Sequence, residues 1–389
     1  MRRLLVFASA VVFFDVTFYA AIAPLLPDYV AEFDLSKAQA GILAAAYAAG
    51  TLVASLPAGL VAVRVGPRRT VIGGLVLLGV ASLVFGFGRD IVMLDSARFA
   101  QGVAGALIWS GALTWLVTTA PPERRGSVIG TAVGTAVAGA LVGPLLGAIA
   151  AEVGTEAVFG AVLGISLVLA AMAARLPEAD PPPRQALRRV AAAMATRPVL
   201  TATAFVAVPS LMFGAVEVIV PLRIDELGGG HVAIAAGFIA AAAIEAGLAP
   251  ISGRYSDRVG RRIPFVLGTA ICALAMVGIA AAGALTPVLA ALFLASLGAG
   301  ICFSPALTTL SESADLSGLD QGFAAGLSNM AWAAGQTVGA LAGGAAAGAA
   351  GFAMPSLAVA ALLLFASVYA FRTVVLIPER VTRPASTPV

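Results

Sequence analysis

Long apolar runs fill most of this chain, and each is close to the length that a helix needs to cross a lipid bilayer. A spanning helix requires about 20 mainly apolar residues. Such runs predict about twelve membrane-spanning helices, at 4–26, 38–62, 70–88, 91–118, 127–150, 156–175, 199–222, 232–254, 263–284, 287–311, 321–348 and 352–376. We therefore expect an all-α membrane protein in contact with the lipid bilayer.

The composition argues against a soluble fold and against a nucleic-acid partner. Hydrophobic residues make up 60% of the 389 residues and charged residues only 11%, whereas soluble domains carry about 25% charged residues. A soluble fold of this length could not bury so much apolar surface. The net charge is only +3, and the basic residues lie in loops between the apolar runs, so we expect no nucleic-acid binding.

The distribution of basic residues predicts how the chain is oriented. With the N-terminus placed inside, 19 of the 23 Lys and Arg residues fall in inside segments, and only Lys37, Arg89 and Arg223 fall outside. Cytoplasmic loops carry an excess of Lys and Arg. We therefore expect a multi-pass protein of the cell (inner) membrane with both termini in the cytoplasm. The first apolar run is too long for a typical signal peptide, so we expect it to be retained.

A short basic stretch occurs twice, beginning at Gly59 and at Gly253, which lie 194 positions apart. Glycines of the fifth run also recur in the eleventh, 196 positions later: Gly139, Gly143 and Gly147 as Gly335, Gly339 and Gly343. Internal duplication of a helical bundle is typical of secondary transporters. We expect two pseudo-symmetric six-helix bundles, at 1–175 and at 199–389 with a short cytoplasmic tail, joined by a cytoplasmic linker at 176–198.

Several motifs at these places resemble those of one family. The second basic stretch, from Gly253 to Arg262, reads Gly-Arg-Tyr-Ser-Asp-Arg-Val-Gly-Arg-Arg. The fourth run contains Arg98-Phe-Ala-Gln101-Gly, and the fifth contains the spacing Gly-x-x-x-Gly143-Pro-x-x-Gly. In these motifs the chain resembles the major facilitator superfamily. The element around Gly143 resembles the antiporter signature of its drug/proton exchangers.

Two acidic elements extend the resemblance to nearly the whole chain. Asp15 followed by Pro24-Leu-Leu-Pro, and Glu217-Val-Ile-Val-Pro, are similar to elements of the twelve-helix drug/proton antiporters and the vesicular amine transporters. The resemblance implies the major facilitator fold. The first basic stretch departs from the pattern, because Val63 stands where the family has an acid. Acids that amine transporters carry in helices 10 and 11 are missing here, so a narrow monoamine specificity is not expected.

The duplicated loops and the glycines of the fifth run are candidates for conformational gating. We expect Asp257 to latch one conformation between the halves through its basic neighbours or a helix end, although the loops could also serve only to orient the chain. The glycines permit close helix contact, with or without a role in transport. The gating candidates are Gly59, Arg64, Gly66, Gly253, Asp257, Arg258, Gly260, Arg262, Gly139, Gly143, Pro144 and Gly147.

Four ionisable residues lie inside apolar runs, where a charge is costly and by default indicates function. Asp15 is midway along the first run, Glu217 is in the seventh, Glu245 is in the eighth and Arg98 is in the fourth. We expect these residues to couple transport to protons. Alternatively, they form an internal ion pair or line a water-filled cavity.

Polar and aromatic residues at helical spacing predict a substrate-binding wall. Positions i, i+3, i+4 and i+7 share one face of a helix, and several aromatic residues suit an organic cation through cation–π contact. Aromatic residues could equally pack between helices or lie at the bilayer surface. The candidates are Phe18, Tyr19, Ile22, Gln101, Trp109, Phe213, Phe303, Asn329, Trp332 and Gln336.

The predicted function is a proton-coupled antiporter that exports small cationic or neutral amphipathic compounds, and we expect it to be a monomer. A proton-coupled sugar or metabolite transporter, symporter or exporter, is the alternative, followed by a non-transporting scaffold or receptor. We expect no enzyme activity and no cofactor, with the proton gradient as energy source, because nucleotide-binding and catalytic motifs are missing. His231 fits a solvated turn, and Cys272 and Cys302 fit helix packing.

Overall fold

The computed structural model describes residues 1–121, 125–179, 187–319 and 321–373. Residues 180–186 of the expected linker and 374–389 of the expected tail lie outside the described residues. Within the described ranges the chain forms helices and no strands, so the all-α prediction is confirmed. The helices are α1 (Arg2–Ala20), α2 (Ile22–Glu32), α3 (Lys37–Val65), α4 (Pro67–Gly86), α5 (Ile91–Thr119), α6 (Arg125–Val153), α7 (Thr155–Ala174), α8 (Leu187–Met194), α9 (Arg197–Glu226), α10 (Gly230–Val259), α11 (Arg262–Ala281), α12 (Leu285–Leu316), α13 (Gln321–Ala350) and α14 (Ala353–Thr373).

Twelve membrane-spanning units account for these helices. α1 and α2 together form the first span, and α8 is a helix of only 8 residues between the sixth and seventh spans. Eleven spans in the described ranges are long and apolar enough to cross a membrane. The twelfth is α13, which has 30 residues but is rich in Ala and Gly, side chains of modest hydropathy. It packs against α3 and α9. The prediction of about twelve spans is confirmed.

The two halves of the chain pack their helices in the same pattern. α1 packs on α6 as α9 packs on α13, and the pairs α3–α5, α4–α5 and α4–α7 correspond to α10–α12, α11–α12 and α11–α14. Single contacts repeat as well. Gly74 faces Ala104 and Ile108, whereas Gly268, 194 positions later, faces Gly298 and Cys302. This correspondence confirms two pseudo-symmetric six-helix bundles.

Glycines allow the backbones of paired helices to touch within each bundle. A Cβ at Gly139 would lie 2.5 Å from the carbonyl oxygen of Phe13, and one at Gly143 would lie 2.7 Å from that of Thr17. In the second bundle a Cβ at Gly339 would overlap the carbonyl oxygen of Leu211. The glycine rows noted in the sequence therefore lay α6 directly on α1 and α13 directly on α9.

Two pairs of helices, α3 with α13 and α6 with α10, form the main seam between the bundles. We call the end of the molecule at which α1 begins the termini side, and the opposite end the far side. The two pairs are related by the internal repeat, but α3 and α13 share the more extensive contact. On the far side, a Cβ added to Gly41 of α3 would lie 2.6 Å from the carbonyl oxygen of Ala340 and 3.0 Å from the Cα atom of Gly344, both on α13.

The seam helices separate toward the termini side. Each has a glycine there at which an added Cβ would meet no described atom within 4 Å: Gly59, Gly134, Gly247 and Gly326. The helices thus converge on the far side and leave a cleft open to the termini side.

The glycine contacts predict a difference between two matched substitutions. We expect Gly339→Ala to lower the melting temperature, because the touching backbones of α13 and α9 must separate at a cost of about 1–3 kcal/mol. Gly247→Ala should leave it unchanged or raise it slightly, because the new methyl group meets open space and Ala favours a helix over Gly. Thermal unfolding of the purified protein in detergent measures both, and equal melting temperatures would contradict the described contact.

Candidate functional site

Asp15 lies at the centre of the first bundle, completely shielded from solvent. Its side chain is 0% exposed. The hydroxyl group of Tyr47 on α3 lies 3.0 Å from each carboxylate oxygen and donates a hydrogen bond to them. The indole of Trp109 on α5 is a further donor toward the same side chain. Gly105, also on α5, makes room for this arrangement, because a Cβ there would lie 3.0 Å from Oδ1 of Asp15.

Glu217 of α9 meets the first bundle across the seam. Its side chain is 8% exposed. Oε2 accepts hydrogen bonds from the hydroxyl of Tyr19 on α1 at 3.1 Å and from Nε2 of Gln336 on α13 at 3.3 Å. Gln336 also donates to the hydroxyl oxygen of Tyr19. The carboxyl group of one bundle is therefore bonded to a side chain of the other.

Aromatic rings connect the two carboxyl groups. The ring of Tyr19 lies 4.9 Å from the ring of Tyr47, centroid to centroid, and 5.4 Å from that of Trp332. Tyr47 is bonded to Asp15 and Tyr19 to Glu217. We call the set Asp15, Tyr19, Tyr47, Arg98, Glu217, Trp332 and Gln336 the central cluster.

Arg98 brings the positive charge of the central cluster. It is 1% exposed and donates to the carbonyl oxygens of Phe18 at 3.4 Å and Tyr19 at 3.2 Å, and to Oε1 of Gln101 at 3.2 Å. Its guanidinium carbon lies 5.2 Å from the ring centre of Tyr47. The two carbonyl groups belong to the last turn of α1, the negative end of that helix.

The end of α1 at this depth has a local cause in the sequence. Proline has no N–H group, so Pro24 cannot donate to the carbonyl group of Ala20 four residues earlier. The helix is interrupted at Ala21 and resumes as α2. Arg98 therefore satisfies carbonyl groups beside a helix break in the middle of the first span.

The charges of the central cluster do not balance without a proton or another cation. With Asp15 and Glu217 both ionised and Arg98 protonated, the three side chains carry a net charge of −1. An uncompensated charge in a water-poor interior is costly. One proton on either carboxyl group, or one monovalent organic cation near them, brings the sum to zero. The cluster can therefore hold either one proton or one monovalent cation, and can exchange one for the other.

Other predicted wall residues lie around this centre. Phe213 of α9 and Phe303 of α12 are half-buried and contact each other, with ring centres 5.9 Å apart. Gln101 is fully buried and donates to the hydroxyl oxygen of Ser82 at 3.0 Å. Asn329 is half-buried on α13, seven residues before Gln336 and so on the same face of that helix.

The side chains of three further predicted site residues form no described bond or ring contact with the central cluster. Phe18 packs against Phe14 and Phe159 inside the first bundle, although helical spacing places it near Tyr19. Ile22 is buried in the hydrophobic core, with 1% exposed. Glu245 is half-buried on α10, and its carboxyl group forms no hydrogen bond or ion pair with any residue that the structure describes.

The predicted gating loops form bonds within their own bundles. In the second loop Arg261 donates to Asp257 at 2.5 Å and to Glu312 of α12 at 2.8 Å, and Arg262 lies over the ring of Phe371 at 4.0 Å. Gly66 and Gly260 end α3 and α10 with positive φ angles of 96° and 86°. Arg64, Arg258 and Asp257 are exposed. Among the described contacts Asp257 does not reach the other bundle.

The first loop lacks an acid of its own, and its arginines have an acidic partner outside the motif. Val63 stands where the second loop has Asp257, and Arg68 instead bonds to Glu178, just after α7, at 3.0 Å. Arg69 lies 3.7 Å from the same carboxylate. Each loop therefore has at least one arginine with an acidic partner, although only the second loop supplies such a partner within its own motif.

Two further polar bonds across the seam lie on the far side, at residues that no sequence motif indicates. Nζ of Lys37 is 2.8 Å from Oε1 of Glu226 and 3.8 Å from the ring centre of Phe352. Nε2 of His231 is 2.7 Å from Oε1 of Glu152, so this histidine is paired rather than only solvated. The first set joins α3 to the second bundle, and the second joins α6 to α10. We call these two contacts the far-side latch.

Tyr47 is also missing from the sequence prediction. It is the one polar side chain in the stretch from Ala44 to Gly50, which reads Ala-Ala-Ala-Tyr-Ala-Ala-Gly. A lone hydroxyl group in such a run is a usable signal, because a buried tyrosine usually finds a hydrogen-bond partner.

Comparison with known proteins gives a family model and a fold. The model of the Major Facilitator Superfamily matches residues 5–319. A crystal structure described as a bacterial homolog to the human lysosomal transporter Spinster, in an inward-facing and unoccupied conformation, matches with a TM-score of 0.77 and 14% identity, over 95% of this chain and 96% of that one. At this identity the likeness shows the fold alone.

Two curated relatives match shorter segments. The MFS-type transporter ppzB of Metarhizium rileyi is 33% identical over 124 residues, which are 31% of this chain and 26% of that protein. Multidrug resistance protein 2 of Bacillus subtilis is 28% identical over 109 residues, 28% of this chain and 27% of that protein. The matched part of the chain thus spans about a quarter of each relative.

The far-side latch predicts the effect of removing Lys37. Lys37→Ala loses both the ion pair with Glu226 and the contact with Phe352, so the population open on the far side should rise about two- to tenfold. Lys37→Arg retains charge and reach and serves as the matched control. Spin labels on Glu156→Cys and Gly283→Cys report the far-side separation by electron-spin distance measurement. Identical distance distributions for the two Lys37 variants would contradict a latch.

Proposed function

The chain belongs to the Major Facilitator Superfamily, and from that premise we propose that it is a proton-coupled secondary transporter that exports small organic compounds by antiport. The family and the fold are those of transporters. The carried compounds are cationic or neutral and amphipathic. The observation that carries the proposal is the central cluster, which brings two buried carboxyl groups, one from each bundle, together with one guanidinium group.

The charge balance of the cluster supports exchange. When the cleft is open to the termini side, an organic cation that reaches the cluster neutralises the net negative charge of the cluster. The proton held there is then released. When the far side opens, a proton takes the place of the cation. No covalent step is required, because the two species compete for the same carboxylates. Each tenfold change in the ratio of the affinities for the proton and the cation corresponds to about 1.4 kcal/mol of binding free energy.

The seam supports alternating access. Tyr19 is bonded to Glu217 and Gln336 of the other bundle, so loss or gain of a proton at Glu217 changes a bond between the bundles. The far-side latch lies at one end of the same seam and the open cleft at the other. A ligand shifts the equilibrium between the state open to the termini side and the state open to the far side only if its affinities for the two states differ. Because the cluster is bonded to both bundles, its affinity for a ligand changes when the bundles move.

The walls support an organic, ring-containing substrate. Tyr19, Trp332 and Tyr47 present aromatic faces beside the carboxyl groups, and such faces attract cations. Phe213 and Phe303 add apolar surface nearby. The Bacillus subtilis relative carries the name Multidrug resistance protein 2, which agrees with this substrate class.

The same proposal assigns the molecule to the cell membrane with both termini in the cytoplasm, so that the cleft faces the cytoplasm. It acts as a monomer whose bundles, 1–175 and 199–389, move about the linker at 176–198, with the basic loops controlling that movement. A cysteine at Asp225, an exposed far-side residue, should react with an impermeant maleimide on intact cells. Reaction only after permeabilisation would reverse the orientation.

Proton-driven dye transport tests the proposed function. In inside-out vesicles with an imposed acid interior, the wild type should accumulate ethidium. Asp15→Asn and Glu217→Gln should each reduce gradient-driven accumulation at least about tenfold, because each removes one of the two competing carboxyl groups. Exposed carboxyl groups outside the cluster supply the matched controls, Asp315→Asn and Glu32→Gln.

The outcomes separate the alternatives. Full gradient-driven transport in both cluster variants would overturn the coupling role, and dye transport indifferent to the gradient would indicate a uniporter. Movement of a sugar or metabolite in the same direction as protons would support a symporter of the same family instead.

A further inference from the structure

A second concave region lies on the membrane-facing side of the seam, away from the central cluster. A groove of about 390 Å³ runs between α3, α5 and α13. Three of its apolar side chains are strongly exposed on the surface of the protein: Ile42 at 45%, Phe99 at 38% and Leu341 at 40%. Exposed apolar side chains on a membrane-spanning helix face lipid, so the groove opens to the hydrocarbon layer.

One carboxyl group lies in this groove, whose other lining residues are apolar apart from Ser96. Asp95 of α5 lines it together with Ala46 and Ala49 of α3. Its Oδ1 atom is buried and has no hydrogen-bond partner among the described residues. A polar atom buried without a partner costs about 1–3 kcal/mol. Asp95 belongs neither to the central cluster nor to the far-side latch, so nothing in the proposed exchange accounts for it.

Helix capping does not account for Asp95 either. An acid near a helix N-terminus can be stabilised by the free N–H groups of the first turn. In α5 this role is taken by Asp90, whose side chain accepts the N–H of Met93 at 2.9 Å. Asp95 lies one turn further along and makes no such bond among the described contacts.

The polarity of the groove changes with depth as that of an amphiphile in a membrane leaflet does, with the charged group near the surface and the apolar part deeper. α3 and α5 both begin on the far side, and a helix rises about 1.5 Å per residue. Asp95 is four residues from the start of α5, and Ala49 is twelve residues from the start of α3. The carboxyl group therefore lies about 6 Å below the far-side end, and the apolar part reaches about 18 Å deep.

We propose that this groove binds an amphipathic cation from the far-side leaflet, with its cationic group at Asp95 and its apolar chain between α3 and α13. The complementary charge selects a cation over an anion. The polarity along the groove selects a molecule with a head at the surface and a tail in the hydrocarbon. This site does not depend on proton coupling, because it lies outside the central cluster.

Occupation of the groove affects the conformation of the transporter. Its walls come from both bundles, since Leu341 belongs to α13 and the other lining residues to α3 and α5. Opening of the far side separates α13 from α3 and takes the groove apart. A cation bound there stabilises the state with the far side closed, by the same factor by which that state binds it more tightly.

Binding of tritiated dodecyltrimethylammonium to protein in zwitterionic nanodiscs tests the site. The background variant is Asp15→Asn/Glu217→Gln, which removes the central carboxylates, and empty nanodiscs correct for partition into lipid. In this background, saturable binding should remain, and adding Asp95→Asn should weaken it about tenfold. Asp225→Asn, which removes an exposed far-side carboxylate elsewhere, should change the affinity less than about twofold.

A second variant covers the case in which Asp95→Asn fails to fold. Ala49→Phe keeps the carboxyl group but fills the groove, and it should abolish the same binding. Saturable binding that is absent from the background variant, or equal in Asp95→Asn and Asp225→Asn, would overturn the proposal. Proton-driven efflux is measured separately, so its failure in the wild type would overturn the proposed function and leave this site standing.

Discussion

A charged side chain in the middle of a membrane protein must be neutralised within the protein, because neither lipid nor a tightly packed interior can solvate it. In this molecule that requirement applies to Asp15, Arg98 and Glu217, which are almost completely shielded from solvent. Arg98 lies on carbonyl groups at the break in the first span, and the two carboxyl groups accept bonds from tyrosine and glutamine side chains. One positive charge cannot balance two ionised carboxyl groups, so the centre of the protein is neutral only when one proton or one further cation is held there.

The packing of the helices sets where movement can occur. Within each bundle, glycine rows bring backbones into direct contact, and such contacts make each bundle a rigid unit. Between the bundles the contacts are concentrated on the far side, where side-chain bonds join α3 and α6 to the second bundle. Under the proposed function the two bundles rock against each other, and those bonds and the Tyr19–Glu217 bond exchange partners. A ligand held at the central cluster then shifts the equilibrium between the two open states, because the cluster is bonded to both bundles.

Much of the fold follows from local sequence properties. Apolar length predicts the twelve spans, and the repeated glycines predict that α6 and α13 make close helix contacts, because both properties are read along one helix. α13 satisfies the length rule through Ala and Gly rather than through strongly apolar residues. Depth in the membrane likewise singles out Asp15 and Glu217. Tyr47 and the pairs Lys37–Glu226 and Glu152–His231 depend on which helices become neighbours, and the paired residues are 189 and 79 positions apart. Helical spacing places Phe18 and Tyr19 on one face of α1. In the structure the ring of Phe18 instead packs against that of Phe159 of α7, inside the first bundle.

Proton release on substrate binding is the most direct test of the central claim that one buried cluster exchanges a proton for a cation. Purified protein in weakly buffered detergent solution, with a pH-sensitive dye, is mixed with ethidium near neutral pH. The account predicts a release of up to about one proton per bound cation, and no release in Asp15→Asn/Glu217→Gln. Saturable ethidium binding by the wild type with no release of protons over the whole range from pH 5 to 8 would contradict it.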